Sequence, residues 1–242
     1  MTRPFESSSC RLVVALVMMA GPVTLRAAEL DCGGQLSAPE RIVCRDETLS
    51  ALDYRLDVLY SLAGEIAQHA DAVRSEQTEW LHGVRDSCAD ASCLATAYRQ
   101  RVDALWHVVQ QSADPLPQEI NGRVQHAPSL SPYCSIVAEG SDAGDWFSIE
   151  MSTHDRSVSG TIDGIFDCGR KIWGELEIRG RLDGNVAVVQ FEPAWHDREQ
   201  GASAEAVILV AADRMYWRVL TEVHVETYVP TAEEIPLQGV AP

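Results

Sequence analysis

The chain has 242 residues, with 36 acidic against 19 basic side chains and a formal net charge of −17. Lys171 is its only lysine, and no arginine run is long enough to follow phosphates, which excludes nucleic acid and anionic membrane surfaces as partners. The length suffices for two modest cores.

Residues 1–28 read as an export signal. Arg3 and Arg11 open it, an apolar stretch runs from Leu12 to Leu25, and Ala27-Ala28 offer small residues for cleavage. The stretch is shorter than a bilayer span, and no other segment approaches the ~18 apolar residues of a membrane helix. The expected location is the periplasm or cell envelope, with no membrane span after cleavage. Cleavage removes Arg3, Arg11, Arg26 and Glu6, a net of +2, and leaves a charge near −19 that favours encounter with a basic partner.

Seven cysteines agree with export. Without Cys10 six are left: Cys32, Cys44, Cys88, Cys93, Cys134 and Cys168. An even number in an oxidising compartment allows up to three disulfides. None of the spacings is that of a zinc site, so no metal is expected.

A helical region spans 29–112. Ser37 and Glu40 form a capping-box pattern that opens a short helix to about Cys44. Asp46 can cap a longer helix, to near His69, whose apolar stripe is Leu49, Leu52, Leu56, Leu59, Leu62, Ala63 and Ile66. The next helix starts near Asp71 and carries Gln77, Trp80, Leu81 and Val84. After a turn at 88–92, with Ser92 as N-cap, a last helix places Leu94, Tyr98, Val102, Leu105 and Val109 on one face. Short connections make antiparallel neighbours.

Pro115, Pro117, Pro128 and Pro132 mark 113–133 as a linker. The period then changes to two over 134–228, an all-β domain. Its candidate strands are 134–138, 145–152, 157–164, 172–181, 185–192, 204–211 and 214–221, with tight turns at Asp183-Gly184-Asn185 and Ala212-Asp213-Arg214. Residues 229–242 read as an extended tail. The fold class is α+β: a disulfide-linked antiparallel helical domain, then an antiparallel β-barrel or β-sandwich.

Four helical-domain cysteines allow three pairings. A hairpin of the two longer helices favours a nested arrangement, Cys44 with Cys88 and Cys32 with Cys93. The local alternative is Cys32 with Cys44 and Cys88 with Cys93. A Cys44–Cys88 bridge would close a loop of about 45 residues, worth roughly 4 kcal/mol. Between these cysteines, Trp80 and Tyr98 read as core aromatics. Asp53 with Arg85 or Arg101 reads as an inter-helix pair, because a charge beside an apolar stripe is costly unless paired.

The framework resembles the lysozyme inhibitor LprI-like N-terminal domain family over residues 31–108, about a third of the chain. The matching positions are Asp31-Cys32, Ile42 with Cys44, Leu49 with Asp53, and Tyr60. They continue through Gln77, Trp80-Leu81, Arg85 and Cys88, and close with Cys93-Leu94, Tyr98 and Arg101. The resemblance implies a small exported bacterial helical module. The family is named for a member that inhibits lysozyme, and most of its members are envelope proteins of unknown role. The β domain is similar only in general type to the small barrels of some periplasmic lysozyme inhibitors, whose inhibitory loop contains Ser-Gly. Ser159-Gly160 is the corresponding pair, although its surroundings depart from the pattern.

No motif for nucleophilic, metal-dependent or nucleotide chemistry occurs. His154-Asp155 and His196-Asp197 are neighbours in turn-like segments and point apart on an extended chain. His224 and Glu226 share a strand face. Catalytic residues, cofactor and metal are all expected to be none. The expected function is an exported, non-enzymatic binding protein that inhibits a lysozyme-type muramidase or a related basic cell-wall hydrolase. The alternative is a structural or scaffolding envelope protein.

Overall fold

The computed structural model describes residues 30–125, 145–166, 171–192, 203–221 and 230–237, with the side chains of 171–173 excepted. The expected signal segment 1–28, the expected strand 134–138, and Cys134 and Cys168 lie outside the described residues.

Four helices come first: α1 (Ala38–Val43), α2 (Glu47–Ile66), α3 (Ala70–Gly83) and α4 (Ala91–Ser112). Their starts follow local chemistry. The Ser37 N–H donates to Glu40 Oε2 at 2.7 Å and the Glu40 N–H returns to Ser37 Oγ at 3.4 Å, closing the capping box of α1. Asp46 caps α2 by accepting from the Leu49 N–H at 3.1 Å. The cap of α4 is Asp90, which accepts from the Cys93 N–H at 2.9 Å, rather than Ser92. Asp90 has the extended backbone that an N-cap needs, while Ser92 already lies within the first turn.

The helices alternate in direction. Gln77 meets Arg101 and Trp80 meets Tyr98, so α3 and α4 run antiparallel. Leu59, Leu62, Leu94, Leu105 and Val109 are fully buried between the helices, each worth about 1.5–3 kcal/mol.

The disulfides are Cys32–Cys44 and Cys88–Cys93, the local set, and the nested arrangement is not formed. Each pair brackets its own chain reversal. Asp31 turns the chain at Gly33-Gly34, accepting from the Gly33 N–H at 2.9 Å, and this folds Cys32 onto the end of α1. The turn into α4 brings the Cα atoms of Cys88 and Cys93 to 5.5 Å. The long helices are therefore held by packing, not by a crosslink.

Eight antiparallel strands follow in sequence order: β1 (Glu119–Gln125), β2 (Trp146–His154), β3 (Ser157–Phe166), β4 (Lys171–Asp183), β5 (Val186–Phe191), β6 (Ala204–Ala211), β7 (Arg214–Val219) and β8 (Ala232–Pro236). The sheet coils into a nearly closed barrel, which decides between barrel and sandwich. β1 and β8 lie side by side, although no ladder joins them among the described residues. Close coiling needs glycine: a Cβ on Gly160 would stand 2.1 Å from the Glu150 carbonyl oxygen. Trp217 fills the interior, 5.9 Å from the Phe147 ring and 5.4 Å from Phe191, with its indole N–H on the Pro230 carbonyl.

Two expectations are corrected. The stretch 113–133 is no simple linker, because it contains β1, and the tail 229–242 contains β8. The prolines do not forbid this. Those around β1 stand outside its span, and Pro236 ends β8, where a missing N–H costs no interior ladder bond.

The helices also pack on the barrel. Val207, Leu209 and Ala211 of β6, with Tyr216 of β7, belong to the helical core, while Ala206 and Ile208 face the barrel interior. β6 is an almost unbroken apolar run because both its faces are covered. Polar contacts seal the rim. Arg55 bonds Glu205 at 2.7 Å, Trp106 Nε1 donates to Asp183 Oδ2 at 2.9 Å, and Arg218 of β7 bonds Glu65 of α2. Directly after α4, the Asp114 N–H donates to the Val210 carbonyl at 2.8 Å, fixing the approach to β1.

Candidate functional site

The largest gathering of framework residues is a cleft of about 630 Å³ in the helical module, within the size range of small-ligand sites. α2 presents Asp53, Leu56, Asp57 and Tyr60, spaced three and four apart and so on one face. α3 presents Gln77, Thr78, Trp80 and Leu81 opposite. Glu40 of α1, Arg85 and the segment from Leu30 to Leu36 close the ends. Five of the seven motif residues singled out from sequence, Asp53, Tyr60, Gln77, Trp80 and Arg85, therefore line one cavity.

The other two stand behind it. Tyr98 is completely buried and donates its hydroxyl to Asp53 Oδ1 at 2.8 Å. Its ring meets Trp80 edge to face at 5.2 Å, as expected of core aromatics. Arg101 Nε donates to Gln77 Oε1 at 2.9 Å, and its Nη1 reaches Glu76 at 3.4 Å. The expected ion pair of Asp53 with Arg85 or Arg101 is not formed. Arg85 instead bonds Glu40 at 3.3 Å and Asp86 at 2.8 Å. A phenol hydroxyl reaches the half-buried carboxylate, so no second charge has to be desolvated beside it.

Electrostatics follow from this geometry. Burial pushes the Asp53 carboxyl above the usual range, opposed by the Tyr98 hydrogen bond and by the nearby Arg85 charge. Burial, and then the Asp53 charge, push the Tyr98 phenol strongly upward. Ser37, through its backbone N–H and then its hydroxyl, holds Glu40 below its ordinary value. Among the described residues the lining has four carboxylates, Asp31, Glu40, Asp53 and Asp57, against one guanidinium, Arg85. Tyr60 and Trp80 add aromatic surface. Carboxylates beside aromatic rings suit a cationic group, by charge-assisted hydrogen bonds and cation–π contact. Among the described residues the lining contains no histidine, cysteine or serine to serve as nucleophile or imidazole base.

Glu40 and Asp57 stand outside the framework positions, while Asp31 belongs to them beside Cys32. Asp57 stands four positions after Asp53 on α2, a same-face spacing visible in sequence. Glu40 was legible only as a helix cap. Of the remaining sequence candidates, His154 lies 3.8 Å from Asp155 in an exposed turn. Ser159-Gly160 falls inside β3, not in a loop, so the comparison with an inhibitory loop fails. His196, Asp197, His224 and Glu226 lie outside the described residues. Among the described residues no three histidine, cysteine or acidic side chains are grouped to hold a metal.

Comparison of the chain with protein-family models, with curated proteins and with solved structures finds no match.

Proposed function

We propose that the protein is an exported, non-catalytic binding protein whose helical cleft captures a basic protein, with a lysozyme-type muramidase as the candidate partner. The observation that carries this reading is the excess of carboxylates over cations in an aromatic-lined cleft. The motif resemblance of residues 31–108 and the net charge of −17 support it. A lysozyme-type site keeps one glutamate protonated and one aspartate ionised in an open cleft. An inhibitor has only to occlude that cleft, and opposite charge speeds the encounter. Titrating the full oxidised chain into lysozyme at low salt should reduce turnover stoichiometrically, with the effect weakening as salt is added. Unchanged turnover and no complex at low salt would remove lysozyme as partner.

A scaffolding role in the envelope is the second reading. One observation favours it: much of the apolar surface of the helices is spent on the barrel and not kept for a partner. Capture of lysozyme that is lost in salt separates the two readings.

A further inference from the structure

The outer face of the barrel carries a patch of opposite sign. Arg179 and Arg181 stand two residues apart on β4 and so share one face. Arg156, in the turn between β2 and β3, is held beside them. Its Nη2 donates to the Leu182 carbonyl at 3.2 Å, and its own carbonyl accepts the Leu182 N–H at 2.9 Å. The three arginines line one groove of about 650 Å³ together with Val188 and Gln190 of β5.

The acids of this groove are engaged elsewhere. Asp183 accepts from the Trp106 indole, and Glu205 is bonded to Arg55. Arg156 and Arg181 have no ion-pair partner among the described residues. Among the described residues Arg179 pairs with Glu177 on its own strand, at 2.5 Å, and both side chains are largely exposed, so the pair is worth little and can open to a competing anion. Like charges along one strand face repel, and an anion between them relieves that cost. Among the acids beside the groove Glu205 is compensated by Arg55, which leaves Arg156, Arg179 and Arg181 in excess over Asp183 and Glu177.

We propose that this groove binds an oxyanion, a phosphate or carboxylate group, carried on a hydroxylated body such as a sugar. The planar guanidinium fork matches both anions in a bidentate way. The Gln190 amide and the engaged carboxylates of Asp183 and Glu205 supply hydrogen-bonding partners for hydroxyls. The cavity accommodates a ligand of small-molecule size.

Calorimetric titration of the full chain with glucose 6-phosphate and with oligogalacturonate tests this, at matched ionic strength and with glucose as the uncharged control. Saturable binding of either charged probe is expected, weakened about tenfold or more in R179Q/R181Q and kept in R45Q, an exposed arginine outside the groove. Binding of the sugar phosphate alone identifies a small phosphorylated ligand, and binding of the uronate identifies an acidic glycan. Melting curves of the variants check that both are folded. No saturable binding of either probe, or an equal loss in R45Q, overturns the proposal.

Discussion

The hydroxyl of Tyr98 donates to Oδ1 of Asp53 at 2.8 Å, joining the N-terminal half of α4 to the N-terminal half of α2 at the floor of the helical cleft. The bond is the reason a carboxylate is tolerated there. Removing the donor leaves a half-buried charge unsatisfied, so Tyr98→Phe should cost about 1–3 kcal/mol. Asp53 has its pKa raised, so the fold prefers the protonated acid. Its stabilising contribution is present below the ordinary pKa and lost as pH rises through the raised one. Tyr98→Phe should raise that pKa further, while Asp53→Asn should remove the pH dependence and blunt the cost of Tyr98→Phe. Denaturant midpoints of the two single variants and the double variant, at acid and neutral pH, measure the coupling. Additive costs would show that the bond carries no energy.

The local disulfides close loops of sequence separation 12 and 5. On the chain-entropy view they contribute about 3 and about 2 kcal/mol. Cys88→Ser with Cys93→Ser should lower the melting temperature but leave the far-ultraviolet helix signal, because Leu59, Leu62, Leu94 and Leu105 hold the long helices together. Peptide mapping without reduction should recover Cys32 with Cys44 in one linked fragment. A fragment linking Cys44 to Cys88 would contradict this pairing.

The two-residue turn between β6 and β7 places Ala212 at φ 47° and Asp213 at φ 66°. A left-handed backbone costs an alanine roughly 1 kcal/mol, a cost that glycine avoids. The turn is held from outside, since Asp114 Oδ2 accepts the Ala212 N–H at 3.2 Å. Ala212→Gly should therefore stabilise the barrel by about 0.5–1 kcal/mol in thermal unfolding, against the usual direction for glycine. A drop in melting temperature would show that the turn relaxes in solution.

Glu233 on β8 is only 6% exposed and pairs in register with Trp217, on the inner side of the barrel. Burial pushes its carboxyl up to about 7, opposed by Arg218 and reinforced by Glu234. The neutral acid is the form the fold favours, so its stabilising contribution is full below about 4.5 and lost as pH rises through about 7. Glu233→Gln should flatten this limb, and its advantage over the parent at pH 8 should be on the order of 2 kcal/mol. Parallel pH profiles for parent and variant would place the charge elsewhere.

Periodicity made much of this architecture legible. The stripe from Leu49 to Ile66, the capping residues Ser37 and Asp46, and the tight turns at Gly184 and Ala212 are local signals, and each element formed where its signal lies. β1 and β8 were hidden because prolines flank or end them and their alternation rests on only one or two large apolar residues, Ile120 and Val124 in one, Ile235 in the other. The contact of helices with barrel depends on side chains such as Trp106 and Asp183, which are 77 positions apart, and no local pattern announces such a meeting. The unbroken apolar run of β6 was the available hint, since a strand with one wet face alternates. The cleft was half visible. The framework residues were legible as polar and aromatic positions at helical spacing between the cysteines, but that they surround a cavity depends on how α2 and α3 pack.

Reversing one charge inside the cleft tests the central claim most directly. Asp57→Arg and Asp103→Arg change the net charge equally, yet Asp57 lines the cleft and Asp103 lies exposed on α4 outside it. Calorimetric titration with lysozyme should show affinity lost about tenfold or more in Asp57→Arg, with Asp103→Arg affected only through the salt-dependent on-rate. Equal affinities for the two variants would place the partner away from this cleft and contradict the proposal.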